Sequence, residues 1–165
     1  MDAKYADALG RLRRAGWRVE LLPQPLAIPD EVLRRYPWMP AEHRTLVEEL
    51  RGVVSLDERA WVVTVAEFSS TSDGAYAWNE WEVQSLDAAG SDDEWRRAVR
   101  GFWDDHLPVL MSVRSGYAYC AMERSSGRIV RGDEPEYEVT TPVASSFLEL
   151  LQVIADRGPE LHGLI

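Results

Sequence analysis

Residues 106–151 read HLPVLMSVRSGYAYCAMERSSGRIVRGDEPEYEVTTPVASSFLELL, and the turns within this stretch decide the fold. Val109–Val113 and Tyr117–Met122 are apolar at nearly every position, which predicts strands covered on both faces. The linker Arg114-Ser115-Gly116 is too short for a crossover, so the two strands run antiparallel. After a second turn at Ser125-Ser126-Gly127, Arg128–Arg131 and Tyr137–Thr140 are shorter and more polar, as edge strands are. Ser146 and Glu149 then form a capping box. Phe147, Leu150, Leu151 and Ile154 give the following helix one apolar stripe, and Gly158-Pro159 ends it.

Upstream, Tyr5, Ala8, Leu9 and Leu12 recur at helical spacing and Gly16 closes that helix. Trp17, Val19 and Leu21 alternate with Arg18 and Glu20 as a half-buried strand would. Pro29 opens a short helix carrying Val32, Leu33 and Tyr36. Leu46, Val47 and Leu50 mark another, closed by Gly52. Trp61–Val65 is rich in β-formers and predicts a strand, 69–74 is a loop by composition, and Trp78–Val83 reads as a strand of imperfect alternation. Ser91 and Glu94 make a capping box for a helix with Trp95, Ala98, Val99 and Phe102 on its apolar face, ending near Asp105. Helices grouped first and last around consecutive strands predict an α+β fold with a central, largely antiparallel sheet and flanking helices. No repeat or linker divides the 165 residues, so the whole chain reads as one domain.

Charge is unevenly spread. Residues 1–66 hold 10 Lys/Arg against 10 Asp/Glu, whereas residues 67–165 hold 8 Arg against 18 Asp/Glu, so the entire net charge of −10 sits in the second part. Such a balance argues against nucleic acid, whose phosphates it would repel, and favours a basic protein partner. No apolar run approaches the roughly 18 residues of a membrane span. Met1–Tyr5 lacks the basic start and apolar middle of a signal peptide. A lone Cys120 makes no internal disulfide, which points to a reducing, cytoplasmic setting. Within Tyr-Ala-Tyr-Cys-Ala-Met the thiol reads as a small buried hydrophobe.

Little here is arranged for bond-making chemistry. His43, His106 and His162 are scattered, with no His-x-His, His-Glu-x-x-His or Cys-x-x-Cys spacing, so neither a metal nor a cofactor is expected. His106 is placed to bond the last carbonyls of the helix before it. Glu80 and Glu82 on one face of a strand, roughly 7 Å apart beside Trp78 and Trp81, carry a faint likeness to a glycosidase pair. Tryptophans in the core with glutamates in water explain the same residues. The acidic run Asp133-Glu134-Pro135-Glu136-Tyr137-Glu138 packs four carboxylates without an intervening cation, and Arg128 and Arg131 lie just upstream to pair with some of them. A solvated loop and a partner surface both fit. In the second reading Asp133, Glu134, Glu136 and Glu138 meet the partner and Tyr137 is the aromatic anchor.

A wider set of motifs carries a family resemblance: Ile28-Pro29, Arg35-Tyr36-Pro37-Trp38, Asp57-Glu58-Arg59-Ala60-Trp61, Trp78-Asn79-Glu80-Trp81-Glu82, Phe102-Trp103 and His106-Leu107-Pro108. It continues through Gly116-Tyr117-Ala118-Tyr119, Gly127-Arg128-Ile129-Val130, Gly132, Pro135-Glu136-Tyr137-Glu138 and Ala144-Ser145-Ser146-Phe147. In order and spacing, over residues 28–155, the chain resembles the SUKH superfamily, which includes the yeast cell-wall synthesis regulator and many bacterial immunity proteins. The resemblance implies an α+β domain and a non-enzymatic binding module. Its commonest role there is neutralising a bacterial toxin, often a nuclease with a basic active site. A regulatory or scaffold module for an endogenous protein is the alternative the same resemblance implies.

Overall fold

A computed structural model describes residues 2–69 and 76–165. Seven antiparallel strands form one sheet in strict chain order: β1 (Arg18–Leu21), β2 (Leu50–Val54), β3 (Ala60–Val62), β4 (His106–Ser112), β5 (Ala118–Glu123), β6 (Ile129–Asp133) and β7 (Thr141–Ala144). The helices are α1 (Ala3–Arg14), α2 (Asp30–Arg35), α3 (Ala41–Glu49), α4 (Val65–Phe68), α5 (Glu80–Ala89), α6 (Asp93–Asp104) and α7 (Phe147–Asp156), followed by a 3-10 turn at Pro159–Leu161. This is the expected α+β fold, with a sheet that is antiparallel throughout. Among the described residues no helix is long and apolar enough to cross a membrane.

The doubly apolar strands sit where they must, at the centre. Leu107, Val109, Leu110, Met111, Tyr119, Cys120 and Ala121 have no exposed surface, and each large side chain so buried stabilises the fold by about 1.5–3 kcal/mol. Leu110 pairs with Cys120 and Met111 with Tyr119. Strand alternation sends these pairs to opposite faces. On the first face Ser112 Oγ donates to the Leu164 carbonyl (2.6 Å) and Arg131 spans the carbonyls of Glu160 and His162 (3.1 and 3.3 Å), tying down the C-terminal segment. α1 and α7 pack together on that face, joined at the rim by Arg11 and Asp156 (2.7 Å). On the second face Tyr119 meets Trp103 of α6 with ring centroids 4.8 Å apart.

Several boundaries differ from the sequence expectation, each for a local reason. Trp78–Val83 is not a strand: α5 starts at Glu80 and buries Trp81, Ser85 and Ala89, a four-residue period. Gly52 does not close a helix, since α3 stops at Glu49 and Gly52 lies inside β2, opposite Glu20. The expected strand over Trp61–Val65 is cut at Val62, because Thr64 caps α4 in a box with Glu67. Asp92 rather than Ser91 caps α6, accepting from the amides of Glu94 (3.0 Å) and Trp95 (2.9 Å). That helix buries Val99 and Trp103, while Trp95 and Ala98 face water. Tyr137–Thr140 precede the last strand instead of forming it, and β6 is interior to the sheet. Of the loop predicted at 69–74, residues 70–74 lie outside the described residues.

His43 of α3 is buried at 1% exposure, its ring edge-on to Phe147 at 4.5 Å, and its Nδ1 has no partner. Burial pushes its pKa down from 6.5 to about 4. The unfolded chain therefore takes up this proton at a higher pH than the folded one. The stability it provides is fully present above about pH 6.5 and falls as the pH drops toward about 4, by a total on the order of 3 kcal/mol. Urea-unfolding midpoints measured across that window should fall more steeply for the native protein than for His43→Leu. Parallel pH curves would place the acid sensitivity elsewhere.

Candidate protein-interaction surface

The acidic run connects β6 to β7 along the second face of the sheet, and its residues divide into an inner and an outer set. Tyr137 is in the inner set: it is 5% exposed, and its hydroxyl donates to Gln84 Oε1 of α5 (2.9 Å). Its backbone carbonyl accepts from the Tyr119 hydroxyl. That close approach is possible because Gly132 lies beneath it, where a Cβ would stand 2.6 Å from the Tyr137 carbonyl and 2.7 Å from the Tyr119 ring. Tyr137 thus holds the loop to the core, where the sequence reading had it as an aromatic anchor for a partner. Glu138 is half-buried and accepts from Trp103 Nε1 (3.1 Å).

The outer set is Asp133, Glu134 and Glu136, all exposed. Arg131 pairs with Asp133 (3.1 Å), whereas Arg128 turns back to Glu123 (3.0 Å). Glu134 accepts from the Tyr117 amide (3.1 Å) and lies over Gly116, whose positive φ of 111° and missing side chain leave it room. The Glu136 side chain makes no ion pair or hydrogen bond with any described residue, although its backbone carbonyl accepts from the Val139 amide (2.9 Å).

Beneath the loop lies an aromatic platform that the sequence reading missed. Trp81 is sandwiched between Tyr117 (4.8 Å, 22° between planes) and Tyr137 (5.8 Å, 9°). Tyr76 extends the array to Tyr117 at 5.8 Å and to Trp61 at 6.2 Å. The Tyr117 hydroxyl beside it is the main cause of a raised Tyr76 pKa. Burial, followed by the carboxylates of Glu134, Glu80 and Glu138 among its neighbours, raises that of Tyr137. The start of α5 therefore brings Glu80 up to the acidic loop. Tyr76, Tyr117 and Trp61 keep part of their rings exposed. The signal for this platform was the tyrosine alternation 117, 119 against Trp81, obscured by reading Trp78–Val83 as extended.

Glu80 and Glu82 do not form a carboxylate pair, since i and i+2 on a helix face different ways. Glu82 is 6% exposed and takes a bidentate grip from Arg35 of α2 (2.7 and 2.8 Å), while Glu80 accepts from Gln84 (3.3 Å). Arg35 also holds Asp104 of α6 (2.9 Å), so one guanidinium joins three helices. His106 Nδ1 donates to the Phe102 carbonyl (2.7 Å), as expected for a histidine at a helix end. Cys120 is fully buried, and burial pushes its thiol up to about 12, far from a reactive thiolate. No family model, curated protein or solved structure matches the chain.

Proposed function

We propose that this protein is a non-enzymatic binding module that captures a basic protein partner through the acidic loop, in the manner of an immunity protein neutralising a basic toxin domain. The observation that carries the reading is the placement of Asp133, Glu134, Glu136 and Glu80 around the partly exposed rings of Tyr76 and Tyr117. Carboxylates supply long-range attraction for lysine and arginine, and tyrosine faces add cation–π contact once those side chains arrive. The confinement of the −10 net charge to residues 67–165 supports the same direction of steering. The resemblance to the SUKH superfamily supplies the toxin as partner class.

The test is association with the product of the adjacent gene, measured by surface plasmon resonance at low and high salt. Glu134→Lys with Glu136→Lys should slow association about ten- to a hundredfold, and the loss should shrink as salt rises. The melting temperature should fall only slightly, because both side chains are exposed and the one bond lost is that from the Tyr117 amide to Glu134. An unchanged association rate would remove the acidic loop as the contact.

A further inference from the structure

The acidic loop is one side of the β4–β5 turn; on the other side the charge reverses. A cleft of about 860 Å³ opens at this end of the first sheet face, between the β2–β3 turn, the β4–β5 turn, the ends of α1 and α7, and the C-terminal segment. Its apolar wall includes Trp17, Leu56, Ile154 and Leu161, and its cations are Arg114 and Arg157, with His162 beside them. The acidic side chain in the lining, Asp57, is already committed. It accepts from the Ser55 hydroxyl (2.7 Å) and from Arg114 (2.8 Å).

Three features of this cleft lack a structural purpose. Arg114 Nε is buried without a hydrogen-bond partner, although a guanidinium offers five donors. Arg157 makes no hydrogen bond or ion pair through its side chain with any described residue, and it holds a left-handed backbone (φ 53°) where glycine is usual. Leu56 stands 86% exposed at the mouth. We propose that the cleft binds a small amphipathic anion, its carboxylate or phosphate head between Arg114 and Arg157 and its apolar body along Trp17 and Leu56. The volume is within the range of small-molecule sites.

The C-terminal ends of α1 and α7 also converge here, and free helix carbonyls would repel an anion. They are not free. The amides of Ala15, Gly16 and Trp17 close the carbonyls of Arg11, Arg13 and Leu12, and those of Arg157 and Gly158 close Ile154 and Val153. Arg131 covers two carbonyls of the tail. Arg114 and Arg157 are the guanidinium side chains that line the cleft.

The experiment is amide chemical-shift titration with three probes: 4-phenylbutyrate, phenyl phosphate and the neutral 4-phenyl-1-butanol. At least one anion should give saturable shifts centred on Leu56, Ser115 and Gly163, and the tighter of the two identifies the head group. The alcohol should bind about tenfold more weakly or not at all, since it lacks the charge-assisted bonds. Arg157→Gly separates binding from folding: it relieves the left-handed strain, so its melting temperature should not fall, yet its anion affinity should drop about tenfold. Failure of both anions to saturate would overturn the proposal. So would equal binding of the alcohol, or undiminished anion binding by Arg157→Gly.

Discussion

Arg35→Met is expected to cost about 3–5 kcal/mol of folding stability, because it leaves the Glu82 carboxylate buried without its cation. Glu82 is 6% exposed and both of its oxygens are held by Arg35. The guanidinium also lies against the rings of Tyr36 and Trp78, at 5.4 and 6.0 Å from their centroids, so packing is lost along with charge. The double variant Arg35→Met/Glu82→Leu should recover most of the loss, since a matched apolar pair avoids burying either charge. Urea unfolding of the two singles and the double forms a closed cycle that measures the coupling. A loss below about 1 kcal/mol for Arg35→Met would mean that water reaches Glu82 freely.

Trp81→Ala should cost a similar 3–5 kcal/mol, as truncation of a buried aromatic usually does. The consequence for the surface matters more than the number. Trp81 is the filling between Tyr117 and Tyr137, so its removal frees the base of the acidic loop from α5. Amide hydrogen exchange at residues 134–139 should accelerate in the variant by more than at β4, whose backbone is paired on both sides by β3 and β5. Trp81→Phe should restore much of the protection. Uniform acceleration across the sheet would mean the platform has no special hold on the loop.

How far the sequence could be read follows from which residues speak locally. The β4–β5 hairpin and α7 were legible because unbroken apolar runs, a three-residue link and the Ser146 cap are all local signals. Even there Glu149 reaches back to the Ser145 amide (2.7 Å) rather than closing a box with Ser146. α5 was misread because Trp78, Trp81 and Val83 are β-formers, and because Glu82 was assigned to water when Arg35, 47 positions earlier, had already claimed it. The acidic loop was found by composition alone. That Tyr137 faces inward depends on Gly132, Gln84 and Trp81 meeting it, three contacts with no common sequence spacing. The cationic cleft was invisible for the same reason, since its walls come from four separate segments.

The strand order has one further consequence. Because neighbours in the sheet are neighbours in the chain, its two open borders are β1 and β7, its first and last strands. Each carries its own deterrent to a second chain: β1 displays Arg18 and Glu20, and β7 places Pro142, which has no N–H to offer. Both ends of the sheet are thereby guarded against pairing with a second copy of the chain.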